Sequence, residues 1–123
     1  MAKKPEALTA VLDEHDDANR RTWLQVHTVN GVCAQTPVTG EQFYRFHNHG
    51  RMVTAVLVTA PADDAVGAIV RAPDDANNLT SIVLPGQTVV LGPFAPGVFN
   101  RLDQSVWLDV DRTAAVAVIR LGV

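Results

Sequence analysis

A disulfide cannot form within this chain, because Cys33 is its single cysteine. That suits assembly in a reducing compartment, where a lone cysteine packs as a small apolar side chain. Aromatics are also scarce: two Trp, one Tyr and four Phe in 123 residues. A carbohydrate-binding sandwich wants several exposed aromatics on one face, so this chain is poorly equipped for one. No uncharged stretch is apolar enough to span a bilayer, because prolines, glycines and amides interrupt each. The N-terminus carries Lys3 and Lys4 but no apolar run behind them, so no signal peptide is expected and the chain reads as soluble. Its net charge of -3, with scattered Lys and Arg, argues against a nucleic-acid partner. Phosphate-cradling loops, dinucleotide glycine patterns and nucleophile elbows are missing too.

What is present is valine, alanine and regular Pro/Gly punctuation, which favours strands. The length fits one domain with its own core. Residues 5–21 are the one helical candidate. Pro5 suits a first turn, and Leu8, Val11, Leu12 and His15 share a face. So short a helix is marginal alone and needs something to dock against, so residues 1–21 read as an N-terminal helical arm.

Residues 22–123 read as the β domain. Thr22–Asn30 alternates as one strand, with Trp23, Gln25, His27 and Val29 on one face and a turn at Asn30-Gly31. Residues 32–42 are irregular, broken by Pro37 and Gly40. Further strands follow Gly50, the acidic turn Asp63-Asp64 and the polar turn beginning Asp74-Asp75. Pro85-Gly86 fits a type II hairpin turn between two strands, and Asp111-Arg112 the last hairpin. The final strand is apolar on both faces, which predicts a central or covered position. Seven or eight short strands at regular spacing predict a mainly β protein. The expected architecture is an antiparallel β-sandwich, jelly-roll or immunoglobulin-like, with one N-terminal helix or arm.

Catalytic signals are weak. His47-x-His49 has metal-ligand spacing, as in cupin-type barrels, but no acid follows His49 closely and no histidine follows Pro85-Gly86. Adjacent carboxylates such as Asp63-Asp64 and Asp74-Asp75 read as solvated turns. Asp109 and Asp111 read as the outward face of a strand. Ser81 and Ser105 sit mid-strand. Arg45, Arg51 and Arg71 could form a cationic patch, though ion pairs with acidic turns are the simpler outcome. No catalytic residue, metal ligand or cofactor is expected, and the chain is not expected to be an enzyme.

The most specific stretch is Leu84–Asn100, with three prolines, three glycines and no charge. It contains Pro85-Gly86-Gln87-Thr88, then Gly92-Pro93-Phe94, Pro96 and Phe99-Asn100. Upstream stands Asn48-His49-Gly50-Arg51, and the last strand ends Ile119-Arg120-Leu121. Together, over Phe43 to Leu121, these elements resemble a group of small β-sandwich structural proteins of tailed bacteriophages. The resemblance implies a virion component, assembled in the host cytoplasm, that decorates or cements the capsid by binding the major capsid protein. It equally fits a tail or head-tail connector component. A cupin-like metal barrel is the remaining alternative. A homo-oligomer, with a trimer favoured, would cover the two uncharged stretches, Thr22–Gly40 and Ala76–Asn100. Phe94 and Phe99, in a braced loop, and Leu8, Val11 and Leu12, on the arm, are the candidate interface residues, with the loop aromatics turned either inward to cap the sandwich or outward to a neighbour.

Overall fold

The computed structural model describes residues 20–28, 35–49 and 53–121. Ten strands run in chain order: β1 (Arg21–Trp23), β2 (Val26–Thr28), β3 (Thr36–Val38), β4 (Phe43–His47), β5 (Val53–Thr59), β6 (Val66–Arg71), β7 (Leu79–Val83), β8 (Thr88–Leu91), β9 (Ser105–Val110) and β10 (Ala114–Leu121). A 3-10 turn at Asp75–Asn77 and one short helix, α1 (Pro96–Phe99), interrupt them.

Alternation makes these segments strands. In β6, Val66, Ala68 and Val70 point into the core while Gly67, Ile69 and Arg71 are partly exposed. The first sheet has the order β1-β4-β9-β6-β7. The second has the order β2-β10-β5-β8, with β3 also on β10. Their inner faces meet in one core that joins Tyr44, Phe46, Leu108 and Val110 to Val56, Val58, Val116 and Val118.

The eight strands β3 to β10 form two antiparallel sets, β3-β10-β5-β8 and β4-β9-β6-β7. This is the jelly-roll order rather than the immunoglobulin one. The sheets are mixed, not wholly antiparallel. β1 joins β4 in parallel, and β2 joins β10 in parallel.

Several local expectations change. The stretch read as one strand from Thr22 to Asn30 breaks at Leu24-Gln25, so Trp23 and His27 serve different sheets. β3 lies where an irregular segment is expected. It tolerates Pro37 because among the described residues it pairs with β10 alone, and an edge strand can hold a proline. The turn at Leu84–Gln87 closes as predicted: Gln87 N–H donates to Leu84 O (3.0 Å), and Gly86 has φ +74°. Yet β7 and β8 belong to opposite sheets, so this is a corner and not a hairpin. Asp111-Arg112 is likewise a corner, since β9 and β10 lie in different sheets. Among successive strands, only β6 and β7 pair with each other. β10 is central in its sheet, flanked by β5 and by β2 and β3, which explains its two apolar faces.

The helix expected over residues 5–21 lies outside the described residues except at its end, where Arg21 opens β1 instead. Strand structure therefore begins one residue before the expected boundary at 22. Leu8, Val11, Leu12, His15, Cys33 and Arg51, and the turns at Asn30-Gly31 and Gly50, also fall outside the described residues.

The Pro/Gly ribbon after β8 plugs one end of the sandwich. Phe94 is completely buried, with ring centroids 5.8 Å from Phe46 and 5.2 Å from Phe99. Its N–H donates to Thr54 O (3.0 Å). Gly92 permits that approach: it has φ +112°, and a Cβ there would lie 3.0 Å from Ala55 Cα. Asn48, buried and polar, fastens the ribbon. Its Nδ2 donates to Phe94 O (2.9 Å) and to Asn100 Oδ1 (2.8 Å), and its Oδ1 accepts from Thr54 N–H (2.8 Å). Asn100 Nδ2 returns a bond to Asn48 O (2.6 Å). Of the two directions open to the loop's aromatics, Phe94 takes the inward one, and Phe99 packs partly buried against the core.

Candidate functional site

The outer face of the first sheet carries the densest chemistry among the described residues. Strand pairing places Trp23 (β1) beside Arg45 (β4), Arg45 beside Trp107 (β9), and Trp107 beside Arg71 (β6). An alternating Trp–Arg–Trp–Arg row therefore crosses four strands. The Arg45 guanidinium lies 4.1 Å from the Trp23 ring centroid. Over Trp107 lie two more guanidinium groups, those of Arg21 (4.0 Å) and Arg101 (3.5 Å). Flat cations on aromatic faces hold one another in place and shed water cheaply.

Asp109 supplies the counter-charge. It is buried on this outer face, two residues along β9 from Trp107. Arg21 Nη1 donates to Asp109 Oδ1 (2.9 Å) and to Tyr44 O (2.9 Å). Arg71 Nε donates to Asp109 Oδ2. Burial lowers the Arg21 pKa, and the Asp109 carboxylate partly offsets that shift. Asp109 is therefore outward, as its strand position predicts, but it is not solvated. At the row's other end Arg45 pairs with Asp103 (3.1 Å), so this arginine does meet an acidic turn. Of the three arginines considered as a patch, Arg45 and Arg71 flank Trp107 in one row.

His47 and His49 do come together. Their rings stack at 4.6 Å and 17°, and Trp23 stacks on His47 at 4.0 Å. His49 Nδ1 meets Gln104 Oε1 (2.7 Å). Gln104 holds φ 62°, a left-handed conformation uncommon outside glycine. Stacked rings face each other rather than aim nitrogens at one point. Among the described residues, no group of three or more His, Cys, Asp or Glu gathers to hold a metal. The His47 pKa is lowered by burial and by neighbouring His49, against the pull of Asp103.

Ser105 stands in register with His47, and Asp103 is close by. The connectivity is not that of an acyl-transfer triad. The fully buried Ser105 gives its hydroxyl proton to Asp103, not to a ring nitrogen. Arg45 Nε, His47 Nδ1 and Trp107 Nε1 are buried in this face with no hydrogen-bond partner among the described residues. Such nitrogens are costly to leave unmatched.

The row is invisible in the sequence. Each residue shows only its own strand's alternation, and the strand order that lines them up is nonlocal. No helix among the described residues is long and apolar enough to cross a membrane. Compared with known proteins, the chain matches no family model, no curated protein and no solved structure.

Proposed function

We propose that this protein is a non-catalytic virion component of a tailed bacteriophage, a decoration or cementing protein that binds the major capsid protein and stabilises the shell. The observation that carries the reading is the exposed end of the outer-face row, where Trp23 lies against Arg45 and the His47–His49 stack, braced from behind by the buried Trp107. Trp and Arg dominate the energetics of protein interfaces, because they offer large, pre-ordered contact surfaces. Trp23 is 40% exposed at the end of the row, and His49 is exposed beside it.

The motif residues support the same reading. Pro85-Gly86 turns a corner, Phe94 plugs the core and Asn100 clasps Asn48. They brace a scaffold. Because Phe94 is buried in the core, the proposal puts the shell contact at Trp23 and its neighbours.

Purified protein mixed with undecorated capsids tests the proposal. Saturable binding and a higher capsid melting temperature are expected, and Trp23→Ala should weaken both. No saturable binding and an unchanged capsid melting temperature would sink it.

A further inference from the structure

The edge of the sandwich opposite β1 is formed by β7 in the first sheet and β8 in the second. Among the described residues each pairs on one side only, with β6 and β5 respectively. Among the described residues, their outer sides present backbone N–H and C=O groups without a strand partner. Folded proteins normally guard such edges with charge, proline or a covering element. Here both strands and the corner between them fall inside the charge-free run from Ala76 to Asn100. Large apolar side chains stand exposed along the edge: Ile82 at 69% on one outer face, Val90 at 62% on the other, and Leu84 at 54% on the corner.

We propose that this edge is a two-fold interface with a second copy of this chain. Charge selects the occupant. Phosphate-bearing partners require cations, and the edge has none. It is instead flanked by acids: Asp74 and Asp75 precede β7, and Gly86 N–H donates to Pro61 O (2.8 Å), which sets the Asp63-Asp64 turn beside the corner. A strongly acidic protein surface would be repelled by these acids, and a strongly basic one could pair only with them at the margins while losing hydration over the charge-free strands between. An identical edge brings unpaired backbone groups, matching apolar side chains and no charge within β7, β8 or the corner, and it keeps the acids of each copy at the margins of the contact. Pairing edge to opposite edge suits the chain less well, because β1 borders exposed Arg20 and Glu41. The contact is therefore isologous, each copy donating the same patch, and the product is a dimer. This inference does not rest on the capsid reading, since it concerns the purified chain alone.

Sedimentation velocity over a dilution series of the full chain is the test. The wild type should sediment as a dimer that dissociates on dilution. Ile82→Lys and Val90→Lys should each raise the dissociation constant roughly tenfold or more, with unchanged circular dichroism. Leu102→Lys, at a fully exposed site off the edge, should dimerise as the wild type does. Amides of β7 and β8 should exchange more slowly in concentrated than in dilute protein. A wild type that stays monomeric throughout, one that forms trimers, or Lys variants that dimerise like the wild type would each overturn the proposal.

Discussion

Arg21 and Asp109 stand 88 positions apart in the chain and close the first sheet's outer face with a buried ion pair of 2.9 Å. One is an edge-strand residue and the other lies at the centre of the sheet. The pair therefore ties β1 across β4 to β9, where three residues of parallel ladder would otherwise be the main attachment. Removing one partner of a buried pair costs far more than the pair contributes, because the remaining charge stays desolvated. Asp109→Ala strips the carboxylate from both Arg21 and Arg71 and should cost about 3–5 kcal/mol. The double variant Arg21→Met/Asp109→Leu should lose less than Asp109→Leu alone. Urea denaturation at neutral pH measures each, and a loss below about 1 kcal/mol for Asp109→Ala would contradict this account.

Asn48 is the hub of the clasp over the Pro/Gly ribbon, and Asn100 is one of its spokes. Asn48→Ala leaves Phe94 O and the Thr54 N–H without their side-chain partner, and should cost about 3 kcal/mol or more. Asn100→Ala leaves most of the hub intact and should cost about 1–2 kcal/mol. Hydrogen exchange adds a local readout. The Thr54 amide should lose protection in Asn48→Ala, and much less in Asn100→Ala.

Phe94 and Phe99 separate a core role from an interface role. Phe94→Ala opens a cavity between Phe46 and Phe99 and should cost about 3–5 kcal/mol. Phe99, only partly buried against the core, should cost about half as much when truncated. If Phe94→Ala instead kept the wild-type melting temperature and lost only assembly, Phe94 would be an interface anchor after all.

The strands of the sandwich are legible wherever one strand's own alternation decides them. Val66–Arg71 announces its inner face by period two, and Pro85-Gly86 announces its turn by chemistry. Features set by strand order are not legible in this way. Whether Pro85-Gly86 makes a hairpin or a corner depends on which sheet receives β8, and no local residue encodes that. Proline at 37 hides β3, because proline argues against a strand unless the strand is known to be an edge. The direction of Phe94 is undetermined by sequence, since a loop has no alternation to read. The Trp–Arg row depends on all of these at once: four strands, their order and their register.

Acid should destabilise the protein in two steps. His47 is held below its ordinary value of 6.5, first by burial and then by His49, so the folded state favours the neutral ring. Its contribution is fully present above 6.5 and is lost as the pH falls from there through the lowered folded value, because the unfolded chain takes up the proton first. Asp103 acts in a lower window. Burial raises its pKa, but hydrogen bonds from Ser105 and the charge of Arg45 outweigh that and hold it below 3.8. Its contribution is present above 3.8 and is lost as the pH falls through the lowered folded value. Both carboxylate and ring lie near solvent, so each step should be shallow. Melting temperature measured from about pH 8 to about pH 3 should fall in both windows. His47→Phe keeps the stack on Trp23 and should flatten the step beginning near 6.5. Ser105→Ala removes a donor to Asp103 and should shift the lower step toward higher pH. A His47→Phe profile that superimposes on the wild type between about pH 7 and about pH 5 would rule out His47 as the source of the upper step.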